Sequence, residues 1–265
     1  MPNAENALKT DAMAELNARQ IKILDHVQQQ GFAAIESLAD YFDVTPQTIR
    51  RDINQLCDKD LLQRFHGGAG MPSSAENVDY STRQIHNPQE KQSIALIVAR
   101  MIPDNSSLFI NLGTTTEEVA VALENHHGLR VITNNLNVAN TLSRFNDCEI
   151  IIAGGLLRRR DSGIVGEATI DFINQFKVDF GVIGISGIDH DGTLLDFDYR
   201  EVRVSQAIIK NSRRVFLVAD HSKFGRNAMV KLGHLRDVDA IFTDRNPPKD
   251  VLDIIQAEDI GLHVA

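Results

Sequence analysis

Between Leu108 and Val264 seven short β-type runs alternate with stretches of helical composition, and no other feature of the chain restricts its fold as strongly. The runs are Leu108–Asn111, Leu129–Thr133, Glu149–Ala153, Phe180–Ile185, Val215–Ala219, Ala240–Thr243 and Gly261–Val264. Between them fall Glu117–Glu124, Leu136–Ser143, Glu167–Gln175, Glu201–Asn211 and Val251–Ala257, all of helical composition. A helix between two strands carries the chain back along the sheet, so the next strand runs parallel to the last. The expected fold is therefore α/β: a mainly parallel sheet covered by helices. Asn87-Pro88, an N-cap and N1 pair, opens a further helix with Ile94, Ile97, Val98 and Met101 on its apolar side.

Residues 19–71 follow a different rhythm. Ile21, Leu24 and Val27 share one helix face, and Gly31 stands where that helix would stop. Ile35, Leu38, Ala39 and Phe42 place a second helix at about Glu36–Phe42, and Thr45-Pro46 supplies an N-cap hydroxyl and an N1 proline for a third. Helix, three-residue turn and helix make a helix-turn-helix over about 35–54. Leu61 to Ala69 alternates loosely and ends in Gly67-Gly68-Ala69, which reads as a β-hairpin wing. Pro72 to Pro88 is rich in Ser, Asn, Asp and Gln. The organisation expected is a winged helix-turn-helix head over 1–72 with an extra tail at 1–17, a linker at 73–88, and an α/β body over 89–265.

Length and charge bound the function. At 265 residues, one large or two moderate domains are expected. The net charge of −9 argues against a wholly basic coat protein for nucleic acid, and so against a structural nucleoid role, while leaving room for a local basic patch on one small domain. Residues 1–72 hold seven Lys/Arg against ten Asp/Glu, a net −3, so DNA binding by this head would depend on specific contacts and on oligomerisation. Cys57 and Cys148 lie far apart in sequence and form no ligand cluster, which argues against a disulfide scaffold or a metal site. The polar opening Met1-Pro2-Asn3-Ala4-Glu5 lacks a signal-peptide pattern, and no apolar run is long enough to span a bilayer, so a cytoplasmic location without membrane association is expected.

The third helix carries its own chemistry. Ile49, Ile53 and Leu56 form a buried stripe, while Gln47, Arg50, Arg51 and Asn54 project from the other side. Arginine can bind guanine through two hydrogen bonds, Gln and Asn can pair with adenine, and Thr can take a base or a phosphate. Thr45, Gln47, Thr48, Arg50, Arg51 and Asn54 are the expected DNA contacts, with Arg64 and His66 of the wing gripping flanking backbone. The bland alternative is a solvated helix face.

In an open α/β sheet, ligands bind beyond the carboxyl ends of the strands, where helix N-termini attract anions. Gly113-Thr114-Thr115-Thr116 follows the first strand, and Thr133-Asn134-Asn135, Gly154-Gly155 and Gly184-Ile185-Ser186-Gly187 end others. Their convergence points to a small phosphorylated ligand. Lys223 and Arg158 are candidates to neutralise its phosphate, and Asp196 and Glu201 to accept from a polyol's hydroxyls. Each of these residues also has an ordinary structural reading as a cap, a surface residue or part of a salt bridge. His190 and His221 show no paired ligand spacing.

Thr45-Pro46-Gln47-Thr48-Ile49-Arg50-Arg51-Asp52, followed by Leu62-Gln63-Arg64-Phe65-His66-Gly67-Gly68-Ala69, resembles the signature of the DeoR family of bacterial repressors. The likeness runs over almost the whole chain. It includes Thr133–Asn140, Gly163–Thr169 and Asp220–Met229, strings that resemble a member controlled by glycerol 3-phosphate. The resemblance implies a repressor that binds double-stranded operator DNA as a homo-oligomer, dimer or tetramer, and is released by a phosphorylated effector. It also implies a body similar to ribose-5-phosphate isomerase. That leaves a rival, a sugar-phosphate isomerase with a DNA-binding head. Such isomerases carry a carboxylate-rich segment after a comparable strand, where this chain has Ile185-Ser186-Gly187-Ile188, so a sensor without turnover and without a cofactor is expected.

Overall fold

The computed structural model describes residues 16–30, 32–59, 61–65, 67–70, 77 and 80–265, and the chain divides into two compact units at Ser73/Ser74. The tail at 1–15 and His66 lie outside the described residues.

The first unit contains α1 (Ala18–Gln30), β1 (Phe32–Ala34), α2 (Ile35–Phe42), α3 (Pro46–Asp58), β2 (Gln63–Phe65) and β3 (Gly68–Gly70). Ile23, Leu24 and Val27 of α1, Leu38 and Ala39 of α2, and Ile49, Ile53 and Leu56 of α3 close one core with Leu61, Leu62 and Ala69. Asp43, at φ 52°, ends α2 in the left-handed region and turns the chain into α3. The Thr45 hydroxyl accepts from the Thr48 N–H at 3.3 Å and caps α3. The wing is a three-stranded antiparallel sheet rather than a lone hairpin. β3 pairs with β2 on one side and β1 on the other, and three-residue β1 is too short to leave a periodic trace in sequence.

The second unit begins with α4 (Tyr80–Ile85) and α5 (Pro88–Met101). It continues with β4 (Ser107–Ile110), α6 (Thr114–Ala122), β5 (Leu129–Thr133), α7 (Leu136–Leu142), β6 (Cys148–Ile152), β7 (Leu156–Arg158), β8 (Gly163–Val165), α8 (Glu167–Ile173), β9 (Val178–Gly184), β10 (Gly187–Ile188) and β11 (Thr193–Asp196). The chain then forms α9 (Tyr199–Lys210), β12 (Ser212–Val218), β13 (Val230–His234), β14 (Ala240–Thr243), α10 (Lys249–Ala257) and β15 (Gly261–Val264). A seven-stranded sheet with order β15-β14-β12-β9-β4-β5-β6 pairs in parallel throughout, and all seven runs read from the sequence lie in it.

Successive residues of a strand face opposite ways, and the central strands are apolar on both faces. Leu108 and Ile110 of β4, Val182 of β9, Phe216 of β12 and Phe242 of β14 join α5, α6 and α7 in one core. Phe109, Ile183, Leu217 and Ile241 join α8, α9 and α10 in the other. β4 leads to β5 on one side while β9 lies on its other side, so the strand order reverses between β4 and β9. Loops leaving two such strands part to opposite faces and open a crevice between them. No helix among the described residues is long and apolar enough to cross a membrane.

Residues 80–85, read from composition as part of a linker, form α4. None of its residues is buried, which is why no apolar period revealed it. Polar contacts hold it: the Lys91 ammonium, itself buried, donates to the carbonyls of Arg83 and, at 2.6 Å, His86.

Candidate functional site

In the first unit, Gln47, Arg50, Arg51 and Asn54 are exposed along one face of α3, at the i, i+3, i+4, i+7 spacing of a single helical stripe. Thr45 is exposed, Thr48 partly so, and the two hydroxyls lie 3.0 Å apart at the helix start. Arg64 is exposed on β2. The acidic residue within this helix's N-terminal half is withdrawn: Asp52 is buried and takes the Arg19 guanidinium at 2.5 Å. The face is left with two arginines and two amides, a donor-rich surface suited to base edges and phosphates.

In the second unit, a small cleft opens at the carboxyl end of β4, lined by Tyr80, Arg83, Leu112, Gly113, Glu117, Asp161 and Glu201. Gly113 is the N-cap of α6 at φ 144°, a conformation that favours glycine, and it offers no side chain to the first-turn N–H groups. The Thr116 hydroxyl shares its one hydrogen between the carbonyls of Asn111 at 2.8 Å and Gly113 at 2.7 Å, which fixes the turn. Thr114 and Thr115 are buried beside it. Two buried amide oxygens at the strand ends, Asn111 Oδ1 and Asn134 Oδ1, have no hydrogen-bond partner among the described residues.

Opposite this helix start lies an ionic cluster. Arg158, on β7, donates to Asp161 at 2.8 and 2.7 Å, to Asp198 at 2.8 Å and to Glu201 at 2.6 Å. Burial pushes the Glu201 carboxyl up to about 7, helped by the charge of Asp196 and opposed by Arg158. Burial likewise raises Asp196, which accepts from the Ser186 hydroxyl at 2.9 Å and the Phe197 N–H at 2.7 Å. Burial works against ionisation of Asp198 too, but bonds from Arg200 and Arg158 hold it at about 2. Arg83 Nη2 stands 3.7 Å from Asp161 Oδ2.

The third wall is a network around Glu117. Its carboxylate accepts from the Tyr80 hydroxyl at 2.6 Å and from the side-chain amides of Asn135 and Asn137 at 3.0 Å each. Burial, then the Glu117 carboxylate, raises the Tyr80 phenol well above its ordinary value, so it stays a donor. Asn135 also caps α7 by accepting from the Asn137 N–H at 2.9 Å, and the Thr133 hydroxyl donates to the Ile110 carbonyl at 2.7 Å. At the end of β12, fully buried Asp220 accepts from the Ser222 N–H at 3.0 Å and from Asn87 at 3.3 Å, with Lys223 Nζ at 3.8 Å. Burial, then the charge of Lys223, holds Lys91 down to about 8.

Of the effector residues expected from sequence, Gly113 and Glu201 line the cleft. Gly184 lies behind them, 3.4 Å from the Leu112 carbonyl at the position a β-carbon would take. Asn134 donates to the Ile164 carbonyl at 3.1 Å. Ser186 is engaged by Asp196, and Gly187 is a close-approach position, where a β-carbon would meet the Arg226 carbonyl at 2.0 Å. Arg158 is saturated by three carboxylates rather than presented to a ligand. Gly154 and Gly155 are exposed, and Gly155 gives room to the Thr169 hydroxyl, which donates to the Gly154 carbonyl at 2.9 Å. Tyr80, Arg83, Leu112, Glu117 and Asp161 escape a reading built on strand ends. Tyr80 and Arg83, three apart in an otherwise polar stretch, offered the one available signal.

A family model described as a DeoR-like helix-turn-helix domain matches residues 19–75, and one described as a DeoR C terminal sensor domain matches residues 86–245. The glycerol-3-phosphate regulon repressor of Escherichia coli (strain K12) is 55% identical over 242 residues, covering 91% of this chain and 96% of that protein. The repressor of the same description from Haemophilus influenzae is 54% identical, covering 86% and 89%. Ribose 5 phosphate isomerase A from Neisseria gonorrhoeae aligns with 51% of this chain and 52% of its own, at 14% identity and a TM-score of 0.38.

Proposed function

The chain belongs to the DeoR family of transcriptional repressors, and on that footing we propose that it represses genes of glycerol 3-phosphate metabolism and leaves its operator when glycerol 3-phosphate occupies the cleft at Gly113. The isomerase alternative falls with that membership, since its near relatives are repressors. The observation that carries the ligand reading is the junction of opposite chemistries in one small cleft: the α6 N-terminus and Arg83 beside the carboxylates of Glu201 and Asp161. Helix N–H groups and a guanidinium bind a phosphate. Carboxylates accept from the hydroxyls of a polyol. Thr114, Thr115 and Thr116 shape the anion end, with Lys223 supplying countercharge from the end of β12. Asn134, Asn135, Asp196 and Arg158 support it from behind.

The α3 face of Thr45, Gln47, Thr48, Arg50, Arg51 and Asn54 reads the operator, and Arg64 and His66 grip its backbone. Because one such head offers a small surface, the active species is a homo-oligomer, dimer or tetramer, working in the cytoplasm on inverted half-sites. A ligand that lowers DNA affinity must itself bind more weakly to the DNA-bound form, by the same factor. Calorimetry with glycerol 3-phosphate, glycerol and ribose 5-phosphate tests the reading. Preference for glycerol 3-phosphate supports it, and equal binding of glycerol removes phosphate recognition as its basis.

A further inference from the structure

α4 lies in the ten residues, 76–85, between the two matched family regions, yet it supplies two of the residues that line the cleft. Tyr80 and Arg83 sit one helical turn apart and line the cleft together. The Tyr80 hydroxyl donates to Glu117 in the first turns of α6 and accepts from Gln84 at 2.7 Å and Asn137 at 2.8 Å. Arg83 lays its guanidinium 5.7 Å from the Tyr80 ring centroid and 3.7 Å from Asp161. No residue of α4 is buried, so its seating depends on polar contacts concentrated at the cleft and on the Lys91 ammonium beneath it. A six-residue helix with no fully buried residue is the kind of element that opens locally at low cost. It also stands in the chain between the operator-reading head and the sensor.

We propose that Tyr80 and Arg83 make α4 the element that reports occupancy of the cleft: an anionic ligand there engages Arg83 and holds α4 seated. The inference rests on the effector reading above and adds the route by which occupancy reaches the chain leading to the head. Arg83 is the ligand-contacting member. Tyr80 is a positioning residue that acts through Glu117. Seating and ligand binding then favour each other, and loss of either side chain raises the ligand concentration needed for release.

Hydrogen exchange of the full-length protein, with and without glycerol 3-phosphate, tests this. The expected result is slower exchange at Thr114–Glu117 and, by ten-fold or more, at Tyr80–Ile85. Tyr80→Phe should retain operator binding without ligand, lose most of the added protection at α4, and need at least five-fold more glycerol 3-phosphate for release. Arg83→Met should behave similarly, with Arg83→Lys partly restoring the response. Protection at Thr114–Glu117 with unchanged exchange at Tyr80–Ile85 would overturn the coupling role while leaving the effector reading intact. No protection at either segment would overturn both.

Discussion

Arg158 Nη2 lies 2.6 Å from Glu201 Oε2, and the guanidinium that balances this buried carboxylate is shared with Asp161 and Asp198. Burial, then the charge of Asp196, raises Glu201 to about 7 from 4.5 against the opposing pull of Arg158 and Arg83.

A carboxyl raised on folding binds its proton more tightly in the native state. Its contribution to stability is therefore complete below pH 4.5 and is lost as the pH rises through about 7. The ceiling on that loss is about 3 kcal/mol. Denaturant unfolding of Glu201→Gln between pH 5 and 8 should show a shallower fall with pH than the parent protein, and parallel curves would show that Glu201 titrates normally.

On α3, Arg50 is exposed, so Arg50→Ala should leave the melting temperature nearly unchanged while costing about 1–3 kcal/mol of discrimination between operator and mutated operator. Thr45→Ala should carry a stability cost beside any loss of operator contact. It removes the cap on the Thr48 N–H and should destabilise the head by about 1 kcal/mol. Footprinting beside thermal melting separates the two, and unchanged operator preference in Arg50, Arg51 and Gln47 variants would remove α3 as the reading element.

Lys223 offers a sharper test of the anion site than a single deletion allows. Removing its ammonium takes away the cation 3.8 Å from Asp220, whose fully buried carboxylate is held below the usual range against burial, foremost by Lys223. Lys223→Ala should thus lose stability by about 3 kcal/mol, the scale for breaking a buried pair. The double change Asp220→Asn with Lys223→Met removes both charges together and should recover most of that loss while still failing to release operator. Normal release by the stable double variant would exclude Lys223 from the effector site.

The seven strands of the large sheet were legible because each is a short apolar run between helical stretches, buried on both faces at the centre. The α3 start was legible because Thr45 and Pro46 do there what their chemistry favours elsewhere. The antiparallel pieces β7–β8 and β10–β11–β13 were not, since two to five residues with mixed polarity carry no period. Among site residues, Gly113 announced itself by its place between a strand and a helix. Asp161 and Glu117 did not: Asp161 pairs with Arg158 three residues away in a stretch with no apolar period, and Glu117 joins the cleft through Tyr80, 37 residues away, whose approach is set by tertiary packing. For Arg158 the sequence left ligand contact and salt bridge both open, and the fold places three carboxylates around it.

Operator release bears most directly on the repressor and sensor assignment. The full-length protein, bound to a genomic fragment selected for tight binding and followed by fluorescence anisotropy at fixed salt, should dissociate on addition of glycerol 3-phosphate and should not respond to the same concentration of glycerol. A complex unaffected by glycerol 3-phosphate, or released equally by glycerol, would contradict the assignment.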